Sequence, residues 1–253
     1  MLSEFRRASA LLEVHPEIVS ESYVSDRSGW MVSFDGNGLV ASHVMRRTPA
    51  RFGYGCDRRE VSRAIRDHVL QLVKPDSRGS IGLVSGDEGV EWLESHPGCG
   101  CAFDRVTPFS SRVFLAAARR SDSTFLVDAI STDGGGIACN VILEQGLCIQ
   151  ELAGMTLAEF ALKTSLLPAR MLGLEGRKGH FTPGADADVT VYDPVSQKAV
   201  LTLVEGRKVL FRGTVARQPG RVICTESGRS RVEAAGLEAV VVRGGIPTLR
   251  RRP

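Results

Sequence analysis

The sequence of 253 residues lacks the features that mark membrane, secreted and nucleic-acid-binding proteins. No apolar run approaches the roughly 20 residues that a membrane span needs. The first twelve residues lack the apolar stretch of a signal peptide. The net charge is only +3, from 32 basic and 29 acidic residues, so nothing favours nucleic acid or an anionic membrane as a partner. We therefore expect a globular, cytoplasmic protein that binds neither.

Cysteine is present, but not in a pattern that builds a disulfide scaffold or a zinc finger. The six cysteines show no C-x-x-C spacing in a long chain, which predicts reduced thiols. Cys99 and Cys101 lie near His96 and could ligate a soft metal, but this cluster supplies at most three ligands. The sequence shows no internal repeat and no low-complexity tract.

The first two thirds of the chain alternate between helix-like and strand-like patterns. Residues 58–73 have apolar side chains at helical spacing, and Pro75 ends that predicted helix. A short strand is predicted at 81–84, a helix around 89–94, and a loop in the Gly- and Cys-rich segment 95–112. This alternation predicts β-α units on a parallel sheet.

The next stretch, 112–173, carries the clearest local signals. Residues 112–119 are helical in pattern and 125–130 form a buried apolar strand. Thr156 and Glu159 have the spacing of a capping box that begins a helix. Pro168 suits the first turn of a second short helix, and Gly173 suits the position just after its end. We therefore expect two short helices to follow the strand.

From about residue 180 the pattern changes from β-α units to hairpins. Short strands are predicted at 189–192, 201–204 and 208–211, the last two joined by a turn at Glu205-Gly206. This change predicts two domains, with residues 1–175 forming the β-α part and residues 176–253 forming a small β domain with a basic tail.

Asp133 is the first candidate for chemistry, in the run Ser131-Thr132-Asp133-Gly134-Gly135-Gly136. It comes directly after an apolar strand, where a parallel barrel places its active site. A carboxylate there can bind a divalent metal or take a proton from a water molecule. Gly134 and Gly135 would let a substrate approach the backbone. The alternative is an aspartate that opens an ordinary Gly-rich turn.

Two histidines and an arginine are further candidates. His43 follows the apolar run 38–41, and a neutral imidazole at the end of a strand is a natural metal ligand. Arg46, three residues later, could clamp a substrate carboxylate. His15 precedes His43 by about one β-α unit and could be another ligand. The alternative for His43 is a surface histidine beside a pair of charged residues.

The order of motifs over 125–215 resembles the C-terminal part of the metal-dependent amidohydrolase superfamily. The resemblance includes the run Gly184-Ala185-Asp186-Ala187-Asp188-Val189 and the preceding Lys178-Gly179-His180. His43 and Arg46 together with Ser131–Gly134 resemble the isoaspartyl dipeptidase branch. The Lys-Gly-His run is also similar to the large subunit of formylmethanofuran dehydrogenase.

The resemblance implies an α/β fold: a partial (β/α) TIM-like barrel of the amidohydrolase type, followed by a small C-terminal β domain. It implies a divalent metal, most commonly zinc, bound by Asp133, His43 and His15, with Asp133 also the catalytic base. Arg46, Gly134 and Gly135 would contact substrate. The implied reaction is hydrolysis of an amide or other non-peptide C–N bond in a small-molecule substrate, such as an isoaspartyl dipeptide or an N-acyl compound.

The sequence departs from that superfamily in one respect: it holds no His-x-His pair, on which the superfamily's first metal site is built. Barrel strands 1 to 4 have no counterpart in the pattern either. We therefore expect a homo-oligomer, a partner chain that supplies the other barrel half, or a fragment of a longer protein. The alternative function is a non-catalytic amidohydrolase-like subunit that acts through protein–protein contacts.

Overall fold

The computed structural model describes residues 2–36, 38–40, 43–77, 81–103, 106, 108–132, 141–216 and 221–242. For residues 2, 28 and 43–45 this description covers the backbone only. The described residues form a mixed α/β structure, and their strands do not close into a barrel. None of the helices in these ranges is both long and apolar enough to cross a membrane.

Nine α-helices and fourteen strands are found in the described ranges. The helices, in chain order, are α1 Leu2–Val14, α2 His43–Arg51, α3 Arg58–Arg66, α4 Gly86–Ser95, α5 Phe109–Ala117, α6 Ile142–Leu152, α7 Leu157–Ala161, α8 Leu167–Met171 and α9 Arg229–Ala234. The strands are β1 Glu21–Tyr23, β2 Ser28–Val32, β3 Phe34–Asp35, β4 Gly38–Leu39, β5 Leu70–Pro75, β6 Ile81–Val84, β7 Cys99–Phe103, β8 Ala129–Ser131, β9 Val189–Asp193, β10 Lys198–Val204, β11 Arg207–Phe211, β12 Thr214–Val215, β13 Arg221–Cys224 and β14 Glu238–Val241.

Two compact units divide the chain. One contains Met1–Ser22, Val113–Ile130 and Ile142–Pro253, and the other contains Tyr23–Arg112 with Ser131–Val141. The boundary predicted near residue 175 is a different division, and it stays a prediction.

The second unit is built on a four-stranded sheet in the order β2-β7-β5-β6. Every neighbouring pair in it is antiparallel. The prediction of a parallel sheet is wrong for this part of the chain. The reason is that β5 and β6 form a hairpin, and β7 then pairs antiparallel to both β2 and β5, so no helical crossover connects parallel neighbours.

The helix predicted over 58–73 is shorter than expected. Helix α3 ends at Arg66, and the chain reverses at His68, whose φ of 60° lies in the left-handed region. Strand β5 then begins at Leu70. The apolar residues after the helix fit the helical spacing by coincidence, because in a strand Leu70 and Leu72 point to the same buried face.

The segment 95–112, predicted as a loop, contains β7 in the middle of the sheet and the start of α5. Cys99 and Cys101 are buried on one face of β7, and burial raises the pKa of both thiols, that of Cys101 further through the neighbouring Cys99. Gly100 packs closely between them, because a Cβ at this position would lie 3.0 Å from Val73 Cγ2 on the adjacent strand.

The hydrophobic core of this unit lies between the sheet and two helices. Helices α3 and α4 pack against each other and against β5. The fully buried Ile65 and Leu93 come from the helices, and Leu72 and Cys101 come from the sheet. A small apolar cavity in the same core is lined by Trp30, Leu39, Val61, Leu70, Cys101 and Phe103, among others.

The first unit ends in a second four-stranded antiparallel sheet, in the order β12-β11-β10-β9. The strands predicted at 189–192, 201–204 and 208–211 are confirmed within it. The turn between β10 and β11 has positive φ at both Glu205 and Gly206, 52° and 75°, which suits the twist of a tight hairpin. A parallel pair, β13 and β14 with α9 between them, follows this sheet.

Ion pairs stabilise the segment before β9, and a hydrogen bond connects this segment to the hairpin. Lys178 Nζ lies 3.0 Å from Asp186 Oδ2 and 2.7 Å from Asp188 Oδ2. Arg177 adds a second contact to Asp186, at 2.9 Å. The other oxygen of Asp188 accepts a hydrogen bond from the backbone N–H of Glu205. These acids therefore have a structural role.

Candidate functional site

The segment that leads to Asp133, residues 125–131, is here called the approach segment. Its central residues Leu126, Val127, Ala129 and Ile130 are all buried hydrophobics. Its regular strand is only β8, shorter than the predicted 125–130. The approach segment is therefore mostly buried, and it comes directly before the Gly-rich run. Asp133, Gly134 and Gly135 themselves lie outside the described residues.

The approach segment is held by hydrogen bonds to the chain around β1. The N–H groups of Asp128 and Ala129 both donate to the Ser20 carbonyl at 3.1 Å, and the Val24 N–H donates to the Ser131 carbonyl at 2.8 Å. The side chain of the buried Asp128 forms a further bond to the same residue, because its Oδ2 accepts a hydrogen bond from the Ser20 N–H at 3.0 Å. A buried carboxylate is costly unless it is hydrogen-bonded, and Ser20 supplies those bonds.

A buried lysine lies beneath the same segment. Lys163 is fully buried, and its Nζ donates to the carbonyl of Val127. The same Nζ lies 4.1 Å from the centre of the Phe125 ring. The Arg119 guanidinium also lies at this ring, with its central carbon 4.2 Å from the ring centre. The face of an aromatic ring attracts positive charge, so the Phe125 ring favours the Arg119 guanidinium, and the Lys163 amine packs beside the same ring.

The helices after the Gly-rich run position this lysine. The predicted capping box is confirmed at the start of α7: Thr156 Oγ1 accepts from the Glu159 N–H, and the Glu159 carboxylate accepts from the Thr156 N–H. Glu159 also binds Arg119, at 2.7 Å. The Thr156 backbone hydrogen bond and the Arg119 guanidinium hold the pKa of Glu159 below its usual range. The ion pair between Glu159 and Arg119 therefore connects α7 to a residue that packs against Phe125 of the approach segment.

A π-helical turn, Leu162–Leu166, continues α7 and leads into α8. Lys163 belongs to this turn. Helix α8 has Pro168 in its first turn, and Gly173 follows it with a φ of 67°, as predicted. π-Helical turns are rare and occur often at functional sites. Nothing in the sequence predicted one here.

His15 lies in the turn after α1. Its Nδ1 is 2.9 Å from Glu17 Oε1, and both side chains are substantially exposed. A backbone hydrogen bond holds the pKa of Glu17 below its usual range, and the hydrogen bond to the His15 imidazole lowers this pKa further by a smaller amount. His15 is thus a surface histidine with a carboxylate partner, and its role as a metal ligand stays a prediction.

His43 is the first residue of α2, four residues after the two-residue strand β4. Its side chain lies outside the described part of the chain. Arg46 is exposed on the same helix, and its carbonyl accepts a hydrogen bond from Cys56 Sγ at 3.4 Å. The metal site that His43 is predicted to share with Asp133 and the predicted role of Arg46 both stay predictions.

Across the described ranges, no group of three or more His, Cys, Asp or Glu side chains is placed to hold a metal ion. The described residues therefore do not make a complete metal centre. Of the predicted ligands, Asp133 and the side chain of His43 lie outside those ranges, and His15 pairs with Glu17.

The most unusual side chain near the approach segment, Lys163, was missed at the sequence level, as was its neighbour Asp128. One signal was available: Lys163 comes three residues after Phe160, which is buried, and so shares the apolar face of α7. A lysine at an apolar position of a helix is rarely fully buried without a partner. The sequence therefore marked the position, but not its partners.

Comparison with known proteins gives the family. The chain matches the amidohydrolase family over residues 85–225, more than half of its length. The chain belongs to the amidohydrolase family. The matched residues of this amidohydrolase-family chain include Asp133, Gly134 and Gly135, whereas His15, His43 and Arg46 precede them.

Two similar proteins extend the comparison. A D-hydantoinase from Streptomyces coelicolor is 36% identical over 69 residues, which cover 23% of this chain and 15% of the relative. A chain of the formyltransferase/hydrolase complex from Methylorubrum extorquens, solved with methylofuran, has a TM-score of 0.44 and 17% identity. That likeness covers 95% of this chain and 49% of the other. The chain thus spans less than half the length of each of these two proteins.

Proposed function

We propose that this chain is part of a hydrolase that cleaves an amide or other non-peptide C–N bond in a small molecule. The observation that carries the proposal is the family match, which includes the buried approach segment and Asp133 directly after it. The D-hydantoinase relative supports the same class of reaction, since its name describes an enzyme that acts on hydantoins. Isoaspartyl dipeptides and N-acyl amino acids are the other substrates that fit the predicted residues.

Asp133 has the central role in this proposal, as a metal ligand and as the base that accepts a proton from the attacking water. A base needs a well-positioned carboxylate, and the burial of the approach segment directly before Asp133 supports this role. Because glycine has no side chain, Gly134 and Gly135 would allow a substrate to approach the backbone. His43 and His15 would complete the ligands that this chain offers, and Arg46 would bind a substrate carboxylate. A bound zinc ion would supply an acidic water and polarise the scissile carbonyl.

The remaining ligands would come from polypeptide outside these residues. A catalytic zinc normally has three protein ligands and an open position. The sequence offers Asp133, His43 and His15 and contains no His-x-His pair. We therefore propose that a partner chain, a second copy or another part of the same protein supplies the missing histidines and the groups that orient them.

The alternative is a non-catalytic subunit that retains the family fold and acts through protein contacts. The observation that favours it is the state of His15, which is exposed and paired with Glu17. The two readings differ in one measurable property. A catalytic subunit acquires metal and turnover when the missing ligands are supplied, whereas a non-catalytic one forms the same assembly without them.

The test begins with the chain purified alone. After dialysis we expect little bound metal, and little or no hydrolysis of a hydantoin, an isoaspartyl dipeptide or an N-acyl amino acid with zinc added. Stoichiometric tight zinc and turnover at roughly 1–1000 per second would overturn the incomplete-site proposal.

The second arm co-expresses the chain with the product of a neighbouring reading frame that carries a His-x-His pair. We expect bound metal and turnover, and Asp133→Asn should abolish turnover. Asp87→Asn is the matched control, because Asp87 is exposed and contacts only the surface residue Arg66 among the described residues. A stable complex that binds no metal and hydrolyses none of the three substrates would favour the non-catalytic alternative.

A further inference from the structure

Lys163 is the one lysine that is fully buried in the described part of the chain. Lysine is almost never fully buried unless a counter-charge pairs with it. Within the described ranges its Nζ donates one hydrogen bond, to the neutral carbonyl of Val127, and faces the Phe125 ring. An ammonium has three N–H donors, so burial leaves the charged form poorly solvated. The neutral amine fits this site better than the ammonium does.

The charged groups around Lys163 act in opposite directions. Burial is the largest influence and lowers the pKa of the Lys163 amine to about 7. The negative charges of Asp128 and Glu159 oppose this shift, and the positive Arg119 adds to it. Asp128 comes from the approach segment, Glu159 from α7, and Arg119 from the chain just after α5. All three are engaged elsewhere: Asp128 with Ser20, and Arg119 with Glu159.

The position of Lys163 connects its protonation to one part of the fold. Its carbonyl partner and its aromatic partner both belong to the approach segment, which lies directly before Asp133. Lys163 itself is in the π-helical turn. Local opening of one segment costs less free energy than global unfolding. A protonated amine is better solvated when the approach segment opens than when the amine stays buried against Val127.

We propose that Lys163 is a proton-sensitive latch on the approach segment: the neutral amine keeps the segment closed through the Val127 carbonyl, and a proton on the amine favours local opening. Lys163 is a positioning residue, because it acts on the approach segment that precedes Asp133 and contacts none of the reacting atoms. It rests on the proposed function only in the role of Asp133. Its test does not use hydrolysis, so the two proposals can fail separately.

The direction of the pH effect follows from proton linkage. The unfolded or opened chain holds the lysine proton up to its usual pKa of 10.5, whereas the closed form releases it at about 7. Between these values the open form binds more protons, so closing becomes more favourable as the pH rises. The opening equilibrium constant should fall by up to about tenfold for each pH unit above 7, because one proton is involved. Below pH 7 both forms are protonated and this dependence disappears.

The experiment is amide hydrogen exchange on the full chain, with protection factors compared between pH 6 and pH 8.5. Protection factors remove the pH dependence of chemical exchange itself. We expect peptides covering 126–131 to gain protection above pH 7 in the wild type. Lys163→Met should abolish the gain and raise protection at pH 6. Lys198→Met, at an exposed lysine of β10, is the matched control and should keep the wild-type profile.

A second variant keeps the test decisive if Lys163→Met does not fold. Asp128→Asn removes the negative charge that raises the pKa of Lys163 most, which should move the gain in protection to lower pH. Protection of 126–131 that is independent of pH in the wild type overturns the proposal. The same conclusion follows if Lys163→Met and Lys198→Met give identical profiles, or if Asp128→Asn leaves the profile of the wild type unchanged.

Discussion

The two four-stranded sheets have the same antiparallel pairing but differ in what covers them. The sheet β2-β7-β5-β6 contributes fully buried residues such as Leu72 and Ala102, with α3 and α4 packed on β5. In β9–β12, all of whose residues are described, no side chain is buried. Both sheets are rich in valine and leucine. The difference therefore comes from the helices: apolar strands form a core only where another layer excludes water.

The largest effect that separates the sheets should come from deleting a core side chain. Leu72→Ala removes a fully buried leucine of β5 and should lower the free energy of unfolding by about 2–5 kcal/mol. Leu201→Ala, at a partly buried position in the middle of β10, should lower the free energy of unfolding by about 1 kcal/mol. The loss is smaller because the Leu201 side chain buries less apolar surface than that of Leu72. Urea unfolding of both variants measures the difference. Equal losses would show that the second sheet is as well packed as the first.

A smaller effect should come from adding one methyl group between the two helices that cover the first sheet. A Cβ on Gly89 of α4 would lie 2.6 Å from Ile65 Cγ2 of α3. Gly89→Ala should therefore destabilise the protein by about 1–3 kcal/mol through overpacking. Gly98→Ala is the control, because a Cβ there meets nothing within 4 Å. A Gly89→Ala variant as stable as the control would mean that the helices separate easily.

The smallest effect concerns the ion pairs beside the second sheet. Lys178 and then Arg177 hold the pKa of Asp186 below its usual value of 3.8. A carboxyl with a lowered pKa in the folded state stabilises the fold above that usual value and loses the contribution as the pH falls below it. Asp186→Asn should cost at most about 1 kcal/mol at pH 7 and should weaken the acid sensitivity of unfolding. Unfolding free energies from pH 7 down to pH 3 test this. Unchanged acid sensitivity would contradict it.

Features that depend on neighbours in sequence were predictable. The capping box at Thr156, the proline and glycine that bound α8, and the Glu205-Gly206 hairpin all follow from local chemistry, and all are present. Each is a preference of a few adjacent backbone groups, so the sequence alone contains the cause.

Features that depend on distant partners were not predictable. Cys99-Gly100-Cys101 looks like a loop by composition, yet it is the strand β7, because Trp30 and Leu72 pair with it from both sides. The burial of Lys163 has the same origin, since Val127 and Phe125 lie about 36 residues away in the chain. Asp133 was found through its motif, and the family match includes it. Its geometry depends on residues that no local pattern specifies.

The π-helical turn at Leu162–Leu166 has a consequence for how this chain is aligned with relatives. A π-turn accommodates one more residue than an α-turn between the same hydrogen-bonded ends. A relative with an unbroken α-helix here would therefore need a one-residue gap inside the helix, not in a flanking loop. An alignment that keeps the helix gapless would pair Lys163 with a residue about 100° away around the helix. The buried lysine would then be compared with a residue on a different face of the relative's helix.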